Sequence, residues 1–218
     1  MANLIRKFLD HCEANNPDGV RSCLSRGVDI NAVSQDGRWS GLTIVAHMNH
    51  TELLEILLTH PDIKINKPTE SLIRLHHCQK IVKGGKFTAL MTACDAGNPA
   101  IVSRLVEVPG LDINYQNERG QTAAHRASLG ETRCVRILAE TGKVDWNIRD
   151  EHDNTPLYQA LVKGYSDIVE IIVKQPNIDY TVKNKGGYTL AHAAVTGGNL
   201  KCIKTLASAK VLNVRLSM

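Results

Sequence analysis

The 218 residues are 43% apolar and 22% charged, too apolar for a disordered chain and enough for one large domain or two small ones. The net charge of +4 is modest, and residues 67–86 alone supply it, with five cations (Lys67, Arg74, Lys80, Lys83, Lys86) against Glu70, so the remainder balances in sum. Six dispersed cysteines (Cys12, Cys23, Cys78, Cys94, Cys134, Cys202) with no C-x-x-C argue against a secreted disulfide scaffold and read as reduced, mostly buried thiols.

The N-terminal stretch MANLIRKFLDHCEANN has no apolar run of signal-peptide type, and no later segment approaches 18 uninterrupted apolar residues. The chain is therefore expected to be soluble, without a membrane span, in the cytoplasm or the nucleus. Two helices are predicted first, carrying Cys12 and Cys23, and GVDIN follows at 27–31. Core packing explains this cysteine pair more simply than a regulatory disulfide.

From there the sequence repeats itself. SGLTIVAHMN from Ser40, TALMTACDAG from Thr88, TAAHRASLG from Thr122 (one residue shorter), TPLYQALVKG from Thr155 and TLAHAAVTGG from Thr189 share one pattern. Each precedes a second amphipathic segment: TELLEILL, PAIVSRLV, TRCVRILA, SDIVEIIV and LKCIKTLA. An extended tag recurs as VDIN, IKIN, LDIN, VDWN and IDYT, with Asn114, Asn147 and Thr181 spaced by 33 and 34 residues. Ala93, Ala127, Ala160 and Ala194 keep the middle of each first helix thin. Gly97, Gly130, Gly164 and Gly198, with Asn49 in the same slot, suit its left-handed end.

These segments resemble the ankyrin-repeat family, whose T-P-L-H-x-A-A core is echoed by TPLYQAL at Thr155 and TLAHAAV at Thr189. The resemblance implies an all-α solenoid with short β-hairpin fingers. It forms a single domain over 1–218, in units 1–34, 35–67, 84–115, 116–148, 149–181 and 182–218 with an insertion at 68–84. No unit buries its faces alone, so the stack supplies the core.

The tempting chemical residues have plainer roles. His125 and His192 fill the family's turn-stabilising histidine position, and the same slot elsewhere holds Thr43, Met91 and Tyr158, which share no chemistry. His76, His77 and Cys78 are the best metal candidates. Adjacent histidines on a helix point about 100° apart, however, and no second ligand pair lies near in sequence, although Cys94 could approach in space. No phosphate loop, nucleophile elbow or zinc-protease motif is present, so no catalytic residue, metal or cofactor is expected, and the chain is not read as an enzyme.

The resemblance also implies where a partner would sit, on the fingers and the adjoining first helices. Carried over by position, this gives Gln35, Arg38, Trp39, His47 and Met48 in the second unit, and Gln116, Glu118 and Arg119 in the fourth. The fifth contributes Arg149, Glu151, His152 and Lys163, and the sixth contributes Lys183, Lys185 and Tyr188. Trp39 and Tyr188 are the residue types that anchor interfaces, although Trp39 also has a packing role open to it beneath its longer finger. Trp146, inside a tag, is expected to pack between units.

From Asn66 to Thr88 is 22 residues, 14 more than the usual eight, so the insertion belongs to the third finger. Leu72, Leu75, Gln79 and Val82 are spaced for one helical face between Pro68 and Gly84–Gly85. The pattern predicts a short basic amphipathic helix that adds Arg74, Lys80 and Lys83 to the surface.

The function expected is a non-enzymatic scaffold that holds a peptide or folded domain, acidic or of mixed charge, with its oligomeric state open. Two rivals remain. Nucleic-acid binding is disfavoured by Glu118, Asp150 and Glu151 on the fingers. A regulatory segment of a larger protein is suggested by the apolar run Ile203, Leu206, Val211, Leu212, Val214 and Leu216 near the end, which reads either as a continuing chain or as a docking patch.

Overall fold

The computed structural model of the chain describes residues 2–74 and 81–216. Among them are six successive helix pairs. They are α1 (Ala2–Glu13) with α2 (Pro17–Ser25), α3 (Gly41–Met48) with α4 (Thr51–Leu58), and α5 (Ala89–Ala96) with α6 (Pro99–Val106). Then follow α7 (Ala123–Ala127) with α8 (Thr132–Glu140), α9 (Pro156–Lys163) with α10 (Ser166–Ile172), and α11 (Leu190–Gly197) with α12 (Leu200–Leu216). First helices pack on first helices and second on second from one unit to the next, the fold of an ankyrin solenoid.

The repeat motif explains each first helix. Ser40, Thr88, Thr122 and Thr155 accept, through the side-chain oxygen, the backbone N–H three residues on, at 3.2–3.4 Å. Such a cap is worth about 1 kcal/mol. Asn49, Gly97, Gly164 and Gly198 then turn the chain in the left-handed region. The fourth unit departs from the expectation. Its missing residue ends α7 at Ala127 with Ser128 as the cap, so Gly130 lies beyond the cap at φ 143°. The mid-helix alanines are all buried, as is Trp146 at 4% exposure.

The recurring tag has a specific task. In four tags the asparagine amide clamps the next tag. Asn31 Nδ2 donates to Asp62 O and its Oδ1 accepts from Lys64 N, at 2.7 and 2.8 Å. Asn66 repeats this on Gly110 and Asp112, Asn114 on Lys143 and Asp145, and Asn147 on Asn177 and Asp179, all between 2.7 and 3.0 Å. A single amide thus satisfies one carbonyl and one N–H of the neighbouring unit, which a smaller polar side chain cannot do.

The fingers are stitched in the same way. Asn117, Asp150 and Asn184 each accept two backbone N–H groups of their own turn. Between tips, Glu70 N donates to Gly37 O, Glu151 N to Arg119 O and Lys185 N to His152 O, at 3.0, 2.7 and 3.0 Å.

The third finger corrects the expectation. In place of a helix, residues 69–87 hold two antiparallel strands, β1 (Thr69–Arg74) and β2 (Ile81–Phe87), pairing Thr69 with Phe87 and Arg74 with Ile81. The register breaks between Ser71 and Leu72, where Gly84 is the extra residue. The physical reason lies in the frame: every finger is two antiparallel arms, and residues inserted at a tip continue those arms. Thr69, Ile73, Ile81, Val82 and Phe87 favour strands, which outweighs the helical spacing of Leu72 and Val82. Gly85 is required where it stands, with φ +89° and a Cβ that would lie 3.2 Å from Asn117 Nδ2 of the fourth finger. His76, His77, Cys78 and Lys80 lie outside the described residues.

Candidate partner-binding surface

Capping geometry decides the role of the histidines. His125 is fully buried. Its Nδ1 lies 2.9 Å from Thr122 Oγ1, and its Nε2 lies 3.1 Å from Asn154 O of the next finger. Burial holds its pKa below the ordinary value, with the bond to Asn154 opposing that shift. His192 makes the same bond to Thr189, at 2.8 Å, but is exposed. Both brace their own turns, and His125 also ties its helix to the next finger.

At the N-terminal end, Trp39 is half-buried and stacks on His47 with ring centroids 5.2 Å apart, tilted by 53°. Trp39 and Gln35 form one wall of a groove of about 1030 Å³. The other wall is α1, through Ile5, Arg6, Leu9, Asp10 and Glu13, and Ile44 is also part of the lining. Met48, 43% exposed, extends it into a smaller recess with His47 and Glu13. Arg38 at the finger tip is tied to Asp36, whose carboxyl is held at about 2, first by Ser34 and then by Arg38. The carry-over by position missed the α1 wall because the first unit has no finger of its own. The signal was present in the apolar positions 4, 5, 8, 9 and 12, a stripe wider than one neighbour needs.

The middle fingers cancel most of their own charge. Lys86 reaches Glu118 at 3.1 Å, Arg119 reaches Glu151 at 3.7 Å, and Arg149 reaches Asp179 at 4.0 Å. His152 lies 3.8 Å from Glu151, and Gln116 Nε2 donates to Gly120 O and Arg149 O at 3.1 and 3.3 Å. Beneath them Arg126 of α7, also missed from sequence, is buried against Asp95 and lies 5.2 Å over the Phe87 ring. Arg126, buried, thus ties the hairpin root to the first helices, while Asp95 stays open to solvent. Arg74 and Lys83 fall on β1 and β2.

At the far end Tyr188 is 55% exposed and meets His192 edge-on at 5.7 Å. Lys163, Lys183 and Lys185 are exposed. Among the described residues none of the three is within 4.0 Å of a carboxylate. Here the charge sum concealed a polarity: residues 182–218 hold six cations (Lys183, Lys185, Lys201, Lys204, Lys210, Arg215) and no Asp or Glu. The surface therefore has an apolar groove at one end, a self-neutralised middle and a basic corner. Among the described residues no group of three His, Cys, Asp or Glu side chains is placed to hold a metal ion. No helix among them is long and apolar enough to cross a membrane.

The family model described as "Ankyrin repeats (3 copies)" matches residues 8–117, 64–150, 90–184 and 142–215. The chain belongs to the ankyrin-repeat family. It is thus a non-catalytic ankyrin-repeat domain. Similar proteins include the "Probable 26S proteasome regulatory subunit p28" of Saccharomyces cerevisiae, 25% identical over 162 residues, covering 73% of this chain and 64% of that protein. Mouse "Rabankyrin-5" is 28% identical over 120 residues, covering 54% and 10%. An ankyrin repeat-containing protein of Schizosaccharomyces pombe is 37% identical over 90 residues, covering 41% and 42%. The chain spans 64% or less of each of these three.

Proposed function

We propose that the chain holds a protein partner, peptide or folded domain, along its fingers and first helices. The observation that carries this reading is the groove between Trp39 and α1. It has apolar walls of Ile5, Leu9 and Ile44 rimmed by Arg6, Asp10 and Glu13, which suits an apolar anchor flanked by polar groups. The self-paired middle fingers give register more than affinity, since exposed pairs contribute little. Lys163, Lys183 and Lys185 draw the acidic end of the partner to the far corner. Changing Trp39, Arg149 and Tyr188 together to alanine abolishes capture of the partner and leaves the melting temperature in place. Capture at unchanged strength refutes the footprint.

A second reading, favoured by the partial coverage of the relatives, is that these repeats serve as the regulatory segment of a larger protein. An immunoblot of the native protein tests it: a band well above 24.0 kDa supports the larger protein, and a band at that mass rejects it.

A further inference from the structure

Glu13 holds a slot whose charge partner the molecule shows elsewhere. Asn15 turns the end of α1 in the left-handed region, at φ 49°, as Asn49 and Gly97 end α3 and α5. Glu13, two residues before that turn, thus matches His47 and Asp95, two residues before theirs. Asp95 is satisfied from the following unit: Arg126 Nε donates to its Oδ1 at 2.9 Å, with the guanidinium 5.2 Å over the Phe87 ring. Arg126 stands four residues after its capping Thr122, and the same place after Ser40 is Ile44. The cation that Asp95 receives is therefore missing beside Glu13.

The rest of that arrangement is present. Glu13, Trp39, Ile44, His47 and Met48 line one recess of about 230 Å³, which shares Glu13, Trp39 and Ile44 with the larger groove. Trp39 immediately precedes its cap, as Phe87 does. Asp10, one helical turn before Glu13, lines the larger groove. Among the described residues neither carboxylate has a cation within 4.0 Å, and Arg6, which lines the groove, does not line the recess. Every lining residue of the recess comes from α1, the second finger or α3, so it belongs to a joint between two units rather than to an end of the stack.

Resting on the reading that a partner lies along the fingers, we propose that this recess takes an arginine side chain of that partner. The methylene stem lies along Ile44 and Met48, the planar head stacks on Trp39, and its fork meets Glu13. Lysine fits less well, since an ammonium neither stacks flat nor offers two parallel donors. An acidic side chain would set like charge against Glu13, and an apolar one would cover it unpaired. An apolar neighbour of the arginine seats on Ile5 and Leu9. Both features suit a partner of mixed charge whose acidic end lies at Lys183 and Lys185.

The test titrates the full isotope-labelled chain with three end-capped hexapeptides of leucine and glycine that differ at one position. That position is arginine, lysine or citrulline, which keeps the shape of arginine without its charge. The Trp39 indole and Met48 methyl signals in the NMR spectrum read the recess, and the buried Trp146 is the internal reference. The arginine peptide is expected to move both signals and leave Trp146 in place. Citrulline should bind about tenfold more weakly, a difference of about 1.4 kcal/mol, with lysine between them. Glu13→Gln, at an exposed position, should bring the arginine peptide down to the citrulline level and leave the citrulline peptide as it was. Equal binding of arginine and citrulline, an arginine affinity indifferent to Glu13→Gln, or no shift at Trp39 with any peptide overturns the proposal. So does a concentration-dependent dimer that Glu13→Gln abolishes, since the recess would then hold a second copy. The partner reading fails separately, on capture that survives the Trp39, Arg149 and Tyr188 substitutions. Loss of that capture together with equal arginine and citrulline binding would strike the arginine alone.

Discussion

Asn147→Ala tests the stitching that holds successive units together. It removes a donor to Asn177 O at 2.7 Å and an acceptor from Asp179 N at 2.8 Å. A net hydrogen bond contributes about 0.5–1.5 kcal/mol, so two give about 1–3 kcal/mol. Asn147 is half-buried and water can replace part of both bonds, which places the loss near ~1.5 kcal/mol. For a domain of this length that lowers the melting temperature by about 3–6 °C. Urea unfolding reads the loss, and amide exchange at Asp179 shows whether the opening is local to the joint between units four and five. Asn147→Asp is the informative control, because it keeps the acceptor but sets an oxygen against Asn177 O, and it should destabilise at least as much as alanine. A loss below about 0.5 kcal/mol with unchanged Asp179 protection would refute the clamp, being less than the two bonds should supply.

Other outcomes follow from the same geometry. At Gly197 an added Cβ would lie 2.1 Å from Leu161 O, a backbone atom that cannot swing aside. Gly197→Ala should therefore part α9 from α11 and cost about 1–3 kcal/mol in urea, and a neutral result would contradict the close approach. Burial holds His125 below its usual value, so below about pH 6.5 the unfolded chain binds a proton that the folded chain does not. Stability is then full above that value and falls as pH drops toward the folded pKa; the urea midpoint should decline from about pH 7.5 to 5.5, and His125→Gln should flatten the decline. Deleting residues 69–84 should leave the stack folded, since the helix pairs on either side pack directly through α3 and α5. Affinity capture repeated on that variant shows whether the hairpin contributes to the partner site, and a collapse of the helical signal would mean that it is structural instead.

Much of the architecture was legible because it is written several times. The two-helix period reappears as read, as do the mid-helix alanines except Ala127, which ends α7; the aligned Ser and Thr were visible as a pattern, but their capping role was not. The tag asparagines were visible as a pattern, but their purpose was not, since each bonds a residue 29–33 positions away or more. The third finger misled because its helical spacing was judged alone. Tertiary context overrode it, as the arms of a finger impose antiparallel pairing on whatever they carry. The groove at Trp39 was half-seen: the finger wall came from the repeat, whereas the α1 wall comes from a unit that lacks the motif. The basic end was hidden by arithmetic, because 182–218 offsets an acidic excess elsewhere.

The central claim is that a partner lies along the fingers and first helices, and hydrogen exchange of the chain with and without its captured partner tests this most directly. The account predicts slowed exchange at residues 35–39, 116–119 and 183–188, with the second helices α4, α6 and α8 unchanged. Protection confined to those second helices would contradict it.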